Sequence, residues 1–240
     1  MEVYLLKIKQ NENPLMHQEW RNLLFLHWKC DPKKIQATLP DGLFVDTFEG
    51  AAYITVLPFL IENFKVNCFS TPIYSRLVEI NVRTYVVDKK GLSGIWFYSL
   101  DINSFFSMMG ANIGFSLPYY FSRCKFEKFN DQIIVEGKRV FEPSVEMKFS
   151  YKVDNEKPDF FALEKTLDFF LVERYVLFTF KNKKLMYGRV RHKPYALQNI
   201  QDLKYSIQLK DPLFNPSNTP DCFHFASGVD SDIFPLHPLI

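Results

Sequence analysis

The stretch Glu79-Ile80-Asn81-Val82-Arg83-Thr84-Tyr85 repeats in character every second residue. Successive side chains of a strand point to opposite faces, so this spacing predicts a β-strand. Ile80, Val82 and Thr84 fall on one face, and Glu79, Asn81, Arg83 and Tyr85 on the other. A polar turn follows at Asp88-Lys89-Lys90-Gly91, and Gly94-Ile95-Trp96-Phe97-Tyr98-Ser99-Leu100 reads as the partner strand of a hairpin. That partner is almost wholly apolar and aromatic, as in strands covered on both faces. The polar stripe then has two readings. It is either the exposed face of a hairpin or the wall of a buried site, where an acid, an amide and an arginine satisfy one another or a ligand. In the second reading Arg83 positions a carboxylate or carbonyl group, and Glu79 serves as acid or base.

Outward from this stretch the pattern stays mostly strand. Residues 43–47 and 52–56, joined by the turn signal Glu49-Gly50, suggest a second hairpin. Further strand candidates are 132–136, 145–153, 175–180 and 185–190. Helical signals are fewer. Asp31-Pro32 reads as an N-cap and a first-turn proline opening a short helix before Pro40. Asn103 or Ser104 caps a second helix that stops at Gly110, and residues 163–171 form a third. The stretch from Asp211 to Ile240 is rich in proline and turn formers and reads as an extended C-terminal strap. With no repeat, low-complexity linker or break in composition, residues 1–240 read as one domain.

Composition bounds the partners. The chain has 240 residues, with 29 Lys+Arg against 27 Asp+Glu and a net charge of +2. That balance argues against a nucleic-acid or membrane-surface binder. Aromatic residues reach 17%, driven by 25 Phe, while Gly numbers only 9. Cys30, Cys68, Cys124 and Cys222 are far apart with no C-x-x-C pairing, which reads as isolated thiols rather than a zinc site or a disulfide framework. Val3-Tyr4-Leu5-Leu6 is too short for a signal peptide, and the apolar run 51–61 is too short to span a bilayer, so a cytoplasmic protein is the expectation.

No phosphate-binding, dinucleotide, zinc-protease or nucleophile-elbow motif occurs, so neither a cofactor nor a metal is expected. The five histidines, His17, His27, His192, His224 and His237, lack metal-ligand spacing. His27, inside Leu23-Leu24-Phe25-Leu26-His27-Trp28, reads as a hydrogen-bonded core histidine, and His192 as a loop residue or a site residue. Glu173-Arg174-Tyr175 is either a strand-anchoring ion pair or a cavity rim. Phe105-Phe106 and Phe160-Phe161 read as packing.

Several segments in order carry a family resemblance. They are Trp20, Leu24-Phe25 and His27-Trp28, then Leu39-Pro40, Gly42-Leu43 and Asp46-Thr47-Phe48-Glu49-Gly50. The stretch Glu79 to Val86 follows, with Trp96-Phe97-Tyr98-Ser99-Leu100-Asp101, Leu117-Pro118-Tyr119-Tyr120 and Phe170-Leu171 with Glu173-Arg174-Tyr175. Together, over roughly residues 16 to 200, they resemble the YqjF-like family, which itself resembles the acetoacetate decarboxylase-like superfamily. The resemblance implies an α+β fold, mostly antiparallel β. Its curved sheet closes into a barrel or cone around an interior pocket, with a few flanking helices.

Acetoacetate decarboxylases use a Schiff-base lysine in a Pro-Lys-Lys segment, beside a glutamate on a neighbouring strand. Such chemistry needs an amine kept unprotonated by a second cation and an apolar pocket. The matching segment here is Pro118-Tyr119-Tyr120, and tyrosine cannot form an imine. Glu79 matches the acidic position, Asn112 is placed at the same pocket, and nothing assigns nearby Lys125 to it. The expected function is therefore binding of a small organic ligand, a carboxylate or keto acid, without imine formation. The alternative is an acid-base enzyme acting on a small carbonyl or carboxylate substrate. The candidate catalytic residues are Glu79, Tyr119 and Tyr120, and the candidate binding residues are Asn81, Arg83, Tyr85 and Asn112. A homo-oligomer stays open.

Overall fold

The computed structural model describes residues 12–67, 71–210 and 213–239. Cys68, the segment Val3-Tyr4-Leu5-Leu6, Asp211 and Ile240 lie outside the described residues. The chain forms strands β1 (Met16–Cys30), β2 (Leu43–Val45), β3 (Ala52–Val66), β4 (Tyr74–Asp88), β5 (Ser93–Ile102), β6 (Tyr119–Phe129) and β7 (Gln132–Arg139). They continue as β8 (Glu146–Val153), β9 (Val176–Lys181), β10 (Lys184–Arg191), β11 (Leu197–Gln198), β12 (Ile200–Gln208) and β13 (Cys222–Pro238). Three short helices intervene: α1 (Pro32–Gln36), α2 (Phe105–Phe115) and α3 (Leu167–Val172).

The strands make one mixed, mostly antiparallel sheet, in which β5 runs parallel to both β6 and β9. Because β5 also pairs with β4, seven strands close on themselves in the order β5-β9-β10-β13-β1-β3-β4. This ring is not a regular barrel. From β5 the sheet continues outward through β6, β7, β8 and β12.

The alternation in β4 explains the layering. Val78, Ile80 and Val82 pack outward with Leu24, Leu26 and Val56, against Val135, Met147 and Phe149 of the outer strands. Leu77 and Tyr85 face inward with Phe25, Leu57, Phe59, Leu100 and Leu177. Both faces of β4 are therefore covered, and the polar stripe lies inside the ring rather than in solvent. Ten consecutive buried residues in β3 tell the same story.

Sequence expectations and structure differ at several elements. Residues 43–45 pair with β4 rather than with β3, and only the bridge between Phe48 and Ala51 remains of that hairpin. Helix α1 starts as expected, with Asp31 Oδ1 accepting from the Lys33 amide at 2.9 Å. Ser104 caps α2, but the helix runs through Gly110 and ends where Ser116 adopts a left-handed conformation, φ 51°. A glycine costs an α-helix only about 1 kcal/mol, too little to stop one that is anchored further on. Helix α3 begins later than expected because Thr166 supplies its N-cap. Residues 222–238 are extended, but they form a 17-residue strand paired with β1 and β10 rather than a strap over the surface.

Candidate functional site

The ring surrounds a partly open cavity of ≈ 390 Å³. Its walls are mainly apolar: Trp20, Leu57, Phe59, Phe97, Leu100 and Leu117 contribute, and α2 supplies Phe106, Gly110, Ala111 and Phe115 at one side. Into it β4 projects Glu79, Asn81 and Arg83, which are 3%, 3% and 7% exposed. The cross-strand neighbours on both flanks are set by register. Glu79 lies between Phe59 and Ile102, and Asn81 between Leu57 and Leu100. Arg83 lies between Thr55 and Phe97. A register shift after Val82 leaves Tyr98 as an extra residue in β5. This bulge lets Phe97 and Leu100 both point inward although they are three residues apart.

Tyr119 opens β6 beside the end of β5, level with Leu100. Its Oη donates to Glu79 Oε2 at 3.0 Å, and Asn81 Nδ2 donates to Glu79 Oε1 at 3.4 Å. Burial pushes the Glu79 carboxyl up to about 7, against those two hydrogen bonds and with the help of Asp101. Burial and the neighbouring Glu79 hold the Tyr119 hydroxyl well above 10. The pair is thus an acid that titrates near neutrality beside a phenol that stays protonated.

Arg83 is the opposite case. Its guanidinium lies over the Phe25 ring at 5.4 Å, yet Nε and Nη2 are buried without a hydrogen-bond partner. Among the described residues it forms no ion pair. Arg174, which also lines the cavity, differs in having partners. It pairs with Asp46 at 2.8 Å, donates to the Phe170 carbonyl at 2.7 Å and lies 4.2 Å above the Phe170 ring. Burial lowers its pKa while Asp46 opposes that. Among the described residues, four buried polar side-chain atoms on residues that line this cavity lack a partner: Asn81 Oδ1, Arg83 Nε, Arg83 Nη2 and Ser107 Oγ.

The remaining candidates are placed elsewhere. Tyr120 follows Tyr119 on a strand and so faces the other way. Its ring stacks under Arg139 at 3.6 Å and lines a second cavity with Tyr98 and Ser99. There Arg139 is satisfied by both oxygens of Asp101, at 2.8 and 3.1 Å, and by Glu142 at 2.7 Å. Tyr85 shares the inward face but reaches past the cavity, donating to the Leu171 carbonyl at 2.8 Å. Asn112 does not line the cavity. Its side chain brackets the Tyr119 backbone, donating to the carbonyl at 3.2 Å and accepting from the amide at 3.0 Å. Lys125 is exposed on β6.

Sequence spacing gave no sign of a hydrogen-bonded chain that crosses the floor of the ring. It runs from Asp168 to His224 at 2.9 Å, His27 at 3.0 Å, Thr55 at 2.8 Å and Tyr85 at 2.5 Å. His27 is a partnered core histidine, and burial holds it well below 6.5. Burial also lowers His224, despite Asp168. Glu173 accepts from the Tyr175 hydroxyl and from the Tyr195 amide, which anchors a strand entrance. Phe106 is 80% exposed at the cavity edge rather than packed. Cys30, Cys124 and Cys222 are free thiols. Among the described residues no three His, Cys, Asp or Glu side chains gather as metal ligands, and no helix is long and apolar enough to cross a membrane.

With the site described, comparison with known proteins places the chain. A profile of the DUF2071 family, described as an uncharacterized conserved protein, matches residues 17–230. The chain belongs to the DUF2071 family. It is 36% identical over 188 residues to the uncharacterized protein YqjF of Bacillus subtilis, covering 78% of this chain and 76% of that one. Solved structures share the fold at low identity. Acetoacetate decarboxylase from Legionella pneumophila superposes with TM-score 0.65 and 12% identity, over 95% of this chain and 88% of that one. The enduracididine biosynthesis enzyme MppR, complexed with pyruvate, gives 0.66 and 13%, over 98% and 93%. The acetoacetate decarboxylase-like fold implied by the sequence resemblance is thereby established for this DUF2071 member.

Proposed function

We propose that this DUF2071 protein binds a small organic carboxylate in the ring cavity, with Arg83 as the anion anchor and without imine formation. One observation carries the reading: Arg83, a buried arginine with two N–H groups that lack a partner among the described residues, lines a partly open, largely apolar cavity. Leaving such donors unpaired costs about 1–3 kcal/mol each, a penalty that a bound carboxylate reverses. Pyruvate in MppR is a precedent in the same fold. The absence of imine chemistry is supported by Tyr119 and Tyr120 in the segment where the decarboxylases carry lysines, and by a lining that includes no lysine among the described residues.

The test is Arg83→Met. Calorimetry with aryl and alkyl carboxylates should lose binding in the variant. Its melting temperature should rise, because a desolvated and unpaired cation is replaced by an apolar side chain of similar length. If Arg83 instead served a structural network, the variant would be less stable and binding would persist.

A second reading, acid-base chemistry on the bound carboxylate, is favoured by Glu79. An acid with its pKa near 7 can take and return a proton at neutral pH, and Tyr119 holds it in place at 3.0 Å. Exchange of the ligand's α-hydrogen in D2O should then occur and be lost in Glu79→Gln. A bound carboxylate that exchanges no faster than free ligand would reduce the site to binding alone.

A further inference from the structure

Arg83 accounts for one end of a ligand, and the wall beside it specifies more. Asn81 lies two residues away on the same face of β4, so the two Cα atoms are roughly 7 Å apart. Its Nδ2 donates to Glu79 Oε1, which turns Oδ1 away from the carboxyl group. Oδ1 is buried and accepts no hydrogen bond. Its cross-strand neighbours, Leu57 and Leu100, have no donor to give it. A buried acceptor in apolar surroundings is costly until a donor reaches it. Ser107 Oγ, on α2, is also buried and unpartnered, but a hydroxyl can donate or accept and so does not discriminate. Asn81 does discriminate: on that side it asks for an O–H or N–H.

We infer that the ligand is an amphipathic hydroxycarboxylate: its carboxylate meets Arg83, its hydroxyl donates to Asn81 Oδ1, and an aryl or branched alkyl body lies against Leu57, Phe59, Phe97 and Leu100. The inference rests on the reading of Arg83 as carboxylate anchor and adds the donor. A keto acid and an unsubstituted carboxylate both leave Oδ1 unpaired. An amino acid supplies N–H groups but brings an ammonium into apolar walls. Among the described residues the only carboxylate lining the cavity is Glu79, whose neutral form burial favours.

Four probes with one carbon skeleton separate these cases: mandelate, phenylglyoxylate, phenylacetate and phenylglycine. None of them depends on an enolisable ketone. Calorimetry on the full chain at pH 6 should give mandelate about tenfold tighter binding than the other three, the usual discrimination for one buried acceptor left unpaired. Asn81→Leu should bring mandelate down to the level of phenylacetate. Equal affinity for all four, or a lead for phenylglyoxylate or phenylglycine, overturns the hydroxyl assignment. The carboxylate reading survives in that case if Arg83→Met abolishes the binding. Failure of every probe to bind overturns both. The wild-type series decides the matter even if Asn81→Leu does not fold.

Discussion

Glu79, Asn81 and Arg83 were legible from the sequence because a strand has a period of two, so a polar stripe in an otherwise apolar hairpin has to share one face. Tyr119 was legible only through the family resemblance. Tyr120 came with it and was misplaced, since adjacent strand residues face apart. Arg174 and Ser107 come from distant segments, and no local spacing could bring them to Arg83. Glu79 gives the clearest pH dependence. It is neutral below its pKa of about 7 and anionic above it. A bound carboxylate is repelled by the anionic form, so phenylacetate affinity should fall as pH rises from 6 to 8. Glu79→Gln should remove that dependence; an unchanged profile in the variant would assign it to another group. The linkage to stability has the same sign. With its pKa raised above the ordinary 4.5, Glu79 favours the folded state at low pH, and that contribution is lost as pH rises through about 7. His192 acts oppositely. Burial holds it at about 4, so its contribution is full above 6.5 and is lost as pH falls toward 4.

Helix α2 forms one side of the cavity although it buries none of its own residues fully. Its sequence contains no charged residue, and Phe106, Met109 and Ile113 are exposed on it. Met108 and Phe115 pack partly against the inner core, and polar tethers add to that hold. Asn112 brackets the Tyr119 backbone, Thr179 Oγ1 donates to the Ser116 carbonyl at 2.7 Å, and Lys181 Nζ donates to the Gly114 carbonyl. These tethers are why the helix outruns Gly110, and they join segments too far apart for sequence spacing to reveal. Asn112→Ala should cost about 1–3 kcal/mol in chemical denaturation and speed amide exchange across α2, with Arg83-dependent binding weakened rather than abolished. Unchanged exchange would mean that the other tethers suffice. Strands were legible where they alternate or sit between turn signals, as in β4, β5, β7 and β8. The long β1 and β13 were not. β1 is buried residue after residue in its second half, and β13 begins after a proline-rich stretch that reads as loop.

The closed ring has its shortest seam between β5 and β9, where the strands run parallel with only two paired positions. Gly94 sits there because a Cβ would lie 2.6 Å from the Val176 carbonyl and 2.8 Å from the Phe178 ring. The hydrogen-bonded chain from Asp168 through His224 and His27 to Tyr85 spans the same interior and joins α3 to β13, β1, β3 and β4. Ring closure depends on pairing strands far apart in sequence, β5 with β9 and β1 with β13, so it could be inferred only from family resemblance. The aromatic excess makes physical sense in this form: large rings fill the space between ring and outer strands, and line a cavity they do not fill. The most direct test of the cavity reading is a crystal structure of the protein soaked with phenylacetate. The carboxylate should lie within hydrogen-bond distance of Arg83 Nε and Nη2, with the phenyl ring among Leu57, Phe59, Phe97 and Leu100. A ligand bound outside the ring, or one bound inside with its carboxylate away from Arg83, would contradict it.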